Sequence, residues 1–293
     1  MNTDHHRRRE RFRAVLEGAA CVHPATVSDP MSAVIAEELG FETGILAGSI
    51  ASLTVLAAPD RILMTLSELA GQARRITRAS ALPILVDGDH GYGNALNVMR
   101  TVEELESAGI AAVSIEDTVL PQPFGSGDTP SYTTVEEGRA KMRAALAARV
   151  DPAMVIVGRT ACAPHLGIDE AVRRGGAYAG EGVDALFFPG LKSAEEVDAI
   201  GAAFSLPLII GGIAPDALAR AWLARRGVRL SLPGHRTYFA GLKGVHDALK
   251  ALRETESWNG VDAVAAAEWA RWSGEARWAG RAADFLGPAN REE

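Results

Sequence analysis

Short apolar runs alternate with segments whose apolar positions recur at helical spacing, nearly from end to end of the chain. The runs are CVHPATV (21–27), GILAG (44–48), PILVDG (83–88), AAVSIED (111–117), AMVIVGR (153–159), DALFFPG (184–190), PLIIGG (207–212) and GVRLSLPG (227–234). Between them the period predicts helices over 31–39, 66–79, 97–108, 134–149, 169–181, 193–203, 215–226 and 236–253. Strands that read as continuous apolar runs, each followed by a crossover, predict a parallel sheet. Eight of them fit an α/β fold of the (β/α)8 TIM type, because an open doubly wound sheet stops at five or six. The barrel is expected over residues 1–253, with 1–8 lacking fixed structure. From residue 254 to 293 the pattern changes to an Ala-rich helical extension carrying Trp258, Trp269, Trp272 and Trp278 near helical spacing. Such a stripe is expected to pack on the barrel or on a neighbouring subunit.

Composition narrows the function classes. At 293 residues and 47% hydrophobic, the chain can fill one large core. A net charge of −7 argues against a nucleic-acid partner, which calls for a basic footprint. No run of about 18 apolar residues exists to span a membrane. The opening MNTDHHRRRERFRAVL lacks the apolar core of a signal peptide, so a cytoplasmic setting is expected. Cys21 and Cys162 match no metal or redox spacing and are expected to be small buried hydrophobes.

Chemistry in such a barrel gathers at the C-terminal ends of the strands. Those positions hold Gly48 and Ser49 after the second strand, Asp87 and Asp89 at the third, and Glu116 at the fourth. Arg159 ends the fifth, and His235 follows the eighth. Carboxylates without a neighbouring Cys suit a hard, oxygen-seeking cation, Mg²⁺ or Mn²⁺. Arg159 offers a planar fork for a substrate carboxylate, with a salt bridge to Glu116 or Asp117 as the plainer role. The Gly48–Ser49 turn offers backbone amides and a hydroxyl to an anion. His235 either acts in the mouth or caps the following helix. His90 is expected to support the metal loop, Lys141 to be solvated, and His165 and His246 to be ordinary surface groups.

The segments SDPMSAVIAEELGFETGILAGS (28–49), APDRILMTLSEL (58–69), VDGDHGYGNALNVMRTV (86–102), ELESAGIAAVSIEDTVLPQPFG (104–125), EEGRAKMRAA (136–145) and VGRT (157–160) carry a resemblance. They resemble the phosphoenolpyruvate mutase/isocitrate lyase superfamily, most of all its oxaloacetate decarboxylase branch, over most of residues 12–253. The resemblance implies that Asp87 meets Mg²⁺ directly or through water, that Asp89 and Glu116 hold its waters, and that Asp60 lies near the metal. It further implies a homotetramer with an exchanged C-terminal helix. Lyases of the superfamily carry a cysteine in a loop that here reads PQPFGSGDT (121–129), and the expected glutamate is Gly190. Gly211 and Gly212 stand where a polar or aromatic residue is expected, which would leave room for a different or larger substrate.

Together these features lead to the expectation of Mg²⁺-dependent decarboxylation of a 2-oxo dicarboxylate, oxaloacetate first, with Arg159, Gly48, Ser49 and His235 on the substrate. The alternatives are a carbon–carbon lyase of 2-hydroxy or 2-methyl dicarboxylates, and a non-catalytic oxo-acid binder.

Overall fold

The structure is a computed structural model that describes residues 3–127 and 129–287. The chain opens with α1 (Thr3–Glu17), followed by β1 (Ala25–Thr26), α2 (Pro30–Glu38), β2 (Gly44–Leu46), α3 (Gly48–Leu56) and α4 (Leu66–Ala79). Next come β3 (Ile84–Asp87), α5 (Ala95–Ser107), β4 (Ala112–Glu116), α6 (Val135–Ala148) and β5 (Val155–Arg159). The short α7 (Ala163–Leu166) precedes α8 (Ile168–Ala179), β6 (Ala185–Phe188), α9 (Ala194–Ala203) and β7 (Leu208–Gly211). The series ends with α10 (Arg220–Ala224), β8 (Val228–Leu232), α11 (Arg236–Thr255), α12 (Ala266–Ser273) and α13 (Glu275–Leu286).

The eight strands are all parallel and lie in chain order from β1 to β8. Val22, just ahead of β1, bridges Leu230 of β8, with Val22 N–H donating to Arg229 O and Ser231 N–H to Val22 O. That contact joins the first and last strands and closes the (β/α)8 barrel. Alternation along each strand divides two apolar layers. Ile45, Leu85, Val155, Val157, Phe187, Ile209 and Leu230 fill the interior, where Phe12 and Leu16 of α1 join them. Leu46, Val86, Ile115, Ile156 and Leu186 face outward onto the helices. Local signals set the helix starts: Thr65 and Glu68 form a capping box on α4, and Asn94 caps α5.

Three expectations are corrected. Residues 3–8 are not without structure, because they form the first turns of α1, where Arg8 and Arg9 are buried; residues 1 and 2 lie outside the described part. The run 21–27 yields only a two-residue strand, since Pro24 has no N–H to give a ladder. The helix expected over 215–226 contracts to Arg220–Ala224.

The chain divides into two compact units, Met1–Tyr238 and Phe239–Glu293. The second is helical, as the period of the tail predicts, and Trp258, Trp269 and Trp278 are exposed in it. The final residues of the tail, 288–293, lie outside the described part. Among the described residues no helix is long and apolar enough to cross a membrane.

Candidate active site

Strand order alone brings the candidate residues together, since β2 to β5 are neighbours and their C-terminal ends open on one mouth. Asp87 and Arg159, on strands two places apart, meet across β4: Arg159 Nη1 donates to Asp87 Oδ1 at 2.5 Å. Arg159 Nε also lies 3.1 Å from Glu116 Oε2. Asp89 sits in the turn after β3 with a left-handed backbone (φ +48°), and its carbonyl accepts from Glu116 N–H at 2.8 Å. Its side chain points at Gly48, where an added Cβ would come within 2.8 Å of Asp89 Oδ1. Glycine at 48 is therefore a requirement of close packing. Gly48 and Ser49 also open α3, so the turn read from the sequence is a helix N-terminus with free backbone N–H groups.

The electrostatics are unbalanced. Three carboxylates crowd one guanidinium, and all four groups are at most partly exposed. Burial pushes the Asp89 carboxyl well above the usual carboxylate range, and the charges of Asp87 and Glu116 push it further. Glu116 is raised by burial and by Asp87, against the opposing pull of Arg159. Asp60, at the rim, is raised by desolvation and then by Asp87. Burial alone would lower the Arg159 pKa, but Asp87 and Glu116 outweigh it and keep the guanidinium charged. The surplus negative charge and all-oxygen donors fit a divalent hard cation. Among the described residues no three His, Cys, Asp or Glu side chains converge tightly enough to hold an ion alone.

A cavity of about 260 Å³ opens on this cluster. Asp60, Asp89, Glu116 and Arg159 line it, together with Arg61, Ile62 and residues of the loop after β4 such as Val119, Gln122 and Ser131. His235 lies outside that lining. Its Nδ1 is 3.1 Å from Thr26 Oγ1; burial lowers its pKa, and the nearby Asp87 charge partly restores it. His235 is therefore close enough to sense the cluster, on the β1–β8 side of the mouth.

Several supporting groups were not legible in the sequence. Lys141 was expected to be solvated, yet it is 2% exposed, and its Nζ donates to His90 O at 2.9 Å. It pins the metal loop from behind, and burial together with Lys141 lowers His90 to a pKa of about 4. Asp117 is fully buried, where it accepts from Tyr178 Oη at 2.5 Å and Arg174 Nη1 at 3.0 Å. Arg174 also donates to Thr133 O, and Thr133 N–H donates to Asp117 O, so this network anchors the base of the loop after β4. The acidic run Glu116–Asp117 was the one available hint, since its second carboxylate needs a buried partner.

The space expected at Gly212 is absent. Its φ is +102°, and a Cβ there would lie 2.8 Å from Leu191 O and 2.9 Å from Gly190 Cα. Gly190 is itself left-handed, with Pro164 Cγ 2.8 Å from where a Cβ would stand. These glycines are packed backbone to backbone, and Gly211 has ordinary neighbours in Phe187 and Leu232. Both thiols are buried as expected, with Cys21 pushed up to about 11 by burial.

The chain is similar to known proteins in sequence and in fold. The chain is 51% identical over 281 residues to a protein of Bradyrhizobium diazoefficiens named oxaloacetate decarboxylase, covering 96% of this chain and 97% of that one. A crystal structure named phosphoenolpyruvate phosphomutase, from Streptomyces platensis subsp. rosaceus, superposes with a TM-score of 0.86 at 26% identity, over 95% of this chain and 99% of that one. A phosphonopyruvate hydrolase solved with oxalate and Mg²⁺ superposes with a TM-score of 0.82 at 28% identity, over 95% and 99% of the two chains. The family model described as phosphoenolpyruvate phosphomutase matches residues 12–253. With a model spanning the whole barrel and a relative identical at half its positions, the chain belongs to the phosphoenolpyruvate phosphomutase family.

Proposed function

We propose that this protein is a Mg²⁺-dependent oxaloacetate decarboxylase, with Mn²⁺ as an alternative ion. The observation that carries the reading is the surplus of carboxylates facing one charged arginine at the ends of β3, β4 and β5. The relative named oxaloacetate decarboxylase supports the choice of substrate. On this reading Asp87 would meet the ion, and Asp89, Glu116 and Asp60 would hold its waters. The bound cation supplies Lewis-acid polarisation of the substrate's keto group.

The chain's own residues then do the positioning. Arg159 and the amides at the start of α3, at Gly48 and Ser49, hold the carboxylate next to the keto group. The bond between C3 and C4 breaks, and its electron pair forms the C2–C3 double bond of an enolate. C4 leaves as CO₂. A proton delivered to C3 completes pyruvate, and His235 is the group that carries it. Thr26 occupies its Nδ1, which leaves Nε2 for the reacting side. Residues 121–129 contain no Lys, Cys or His to serve the lyase alternative.

The protein is further read as a cytoplasmic homo-oligomer, a tetramer, whose tail from residue 254 packs between subunits. Supporting this, Leu242, Val245, Leu249 and Leu252 form an exposed apolar stripe on α11. Light scattering gives the mass, and a monomer would end that part of the reading.

The deciding experiment is pyruvate formation from oxaloacetate with Mg²⁺, beside EDTA and an Asp87→Ala variant. Free ion without protein is the baseline, because dissolved metals decarboxylate oxaloacetate unaided. Turnover above that baseline, abolished by either control, is expected. A rate equal to Mg²⁺ alone would refute the assignment.

A further inference from the structure

The cavity contains two guanidinium groups in different electrostatic circumstances. Arg159 is paired with both Asp87 and Glu116. Arg61 also lines the cavity, and its one hydrogen bond runs from Nη1 to the neutral Gln122 Oε1 at 3.5 Å. Among the described residues it makes no ion pair within 4.0 Å, not even with adjacent Asp60.

The backbone shows that this placement is not casual. Ile62, the next residue, has φ +56°, a left-handed conformation that a β-branched side chain strongly disfavours. Such an outlier persists only when its surroundings enforce it, and both Arg61 and Ile62 line the cavity. The loop after β4 adds the neutral polar groups of Gln122, Ser126 and Thr129 to the lining, and Asp60 senses the Arg61 charge without pairing with it.

A 2-oxo dicarboxylate carries a second carboxylate that the metal side does not take. We propose that Arg61 reads this distal carboxylate from the loop side of the cavity, making it the residue that selects dicarboxylates; the proposal rests on the decarboxylase reading above. The planar fork of arginine suits that partner. Arg61 is exposed, so its hold is screened by solvent, and this agrees with the chemistry. The carboxylate loses its charge as it becomes CO₂, so a tight ion pair would favour substrate over transition state. A loose one captures the dianion and then lets go. Pyruvate lacks the second carboxylate and departs without that tether.

The test is Arg61→Gln and Arg61→Lys in the full-length, Mg²⁺-loaded protein. For oxaloacetate, Arg61→Gln raises KM by about 10- to 100-fold while kcat stays level or rises, and Arg61→Lys recovers part of the loss. Inhibition by oxalate, which has no distal group, is unchanged. An unchanged KM, an equal loss of oxalate affinity, or a fall confined to kcat would each overturn the proposal. If the wild-type protein leaves oxaloacetate intact, the decarboxylase reading fails separately. Calorimetry then compares oxalate with 3,3-difluorooxaloacetate: weakening of the dicarboxylate alone supports the role of Arg61, and no selective weakening overturns it.

Discussion

The two ends of the barrel both bury charge, and they do so in opposite ways. At the N-terminal end, Arg9 donates to Asp151 at 2.8 Å and to the carbonyls of Ile110 and Glu106. Glu106 in turn accepts the N–H groups of Val150 and Asp151, and Arg8 donates from its two terminal nitrogens to the carbonyls of Gly109, Thr77 and Ser80. Asp151 and Glu106 there are both paired with Arg9, while Arg8 rests on carbonyls. At the C-terminal end, Asp87, Asp89 and Glu116 share Arg159, and Asp89 is driven towards protonation by burial and by its neighbours. The balanced end is a plug and the unbalanced end is a site. Natural enzymes commonly give up stability at the site for function, and here both patterns stand within one unit of the chain.

That contrast can be broken by mutation, beginning with the largest effect. Asp87→Ala should lower kcat/KM by about a thousandfold, since a Lewis acid supplies several kcal/mol and each 1.36 kcal/mol is a factor of ten. Its melting temperature should stay near the wild-type value, so a collapse of the fold would contradict the division of roles. At the other end, Asp151→Ala leaves Arg9 buried without its main partner and should cost about 3–5 kcal/mol in a urea titration. Its activity per folded molecule should be unchanged.

A pH experiment sharpens the same contrast. His90 is buried as the neutral imidazole, with its pKa lowered from 6.5 to about 4. Below pH 6.5 the unfolded chain takes up a proton that the folded one refuses. The stabilisation is therefore complete above pH 6.5 and is lost as pH falls from there to about 4, by about 3 kcal/mol in all. His90→Gln keeps the backbone carbonyl that Lys141 uses, and should flatten this acid limb in denaturation midpoints taken from pH 7 to 4. An unaltered limb would show that His90 is not its source. The smallest effect is expected of Asp89→Asn, which removes one of the repelling charges and should raise stability by about 1 kcal/mol while impairing turnover. A variant less stable than wild type would show that the Asp89 carboxyl supports the fold rather than straining it.

The sequence carried the strand ends because burial forces a simple code there: apolar residues until the sheet stops, then whatever chemistry the mouth holds. Asp87, Glu116 and Arg159 fall at the last residues of β3, β4 and β5 for that reason. What escaped notice depends on partners far along the chain. Residues 1–8 read as lacking fixed structure, because nothing in the sequence announces that Arg8 and the adjoining Arg9 will be met by carbonyls about 70 to 100 residues away. Lys141 looks like any lysine on an amphipathic helix until His90 O is placed over it. Arg61 lies in no periodic segment, and only the cavity shows where it faces.

The interlocked glycines bear on how substrate range can change. Gly212 lies against Gly190 and Leu191, so the loops after β6 and β7 are fixed to one another by their main chains. Any side chain introduced at 212 would separate them and disturb both at once. Variation, whether by evolution or by directed mutagenesis, is channelled to the loop after β4, where Gln122, Ser126 and Thr129 line the cavity and can be exchanged without moving a strand. Libraries aimed at longer dicarboxylates should be built on that loop, and libraries built at Gly190 and Gly212 should return mainly unfolded protein.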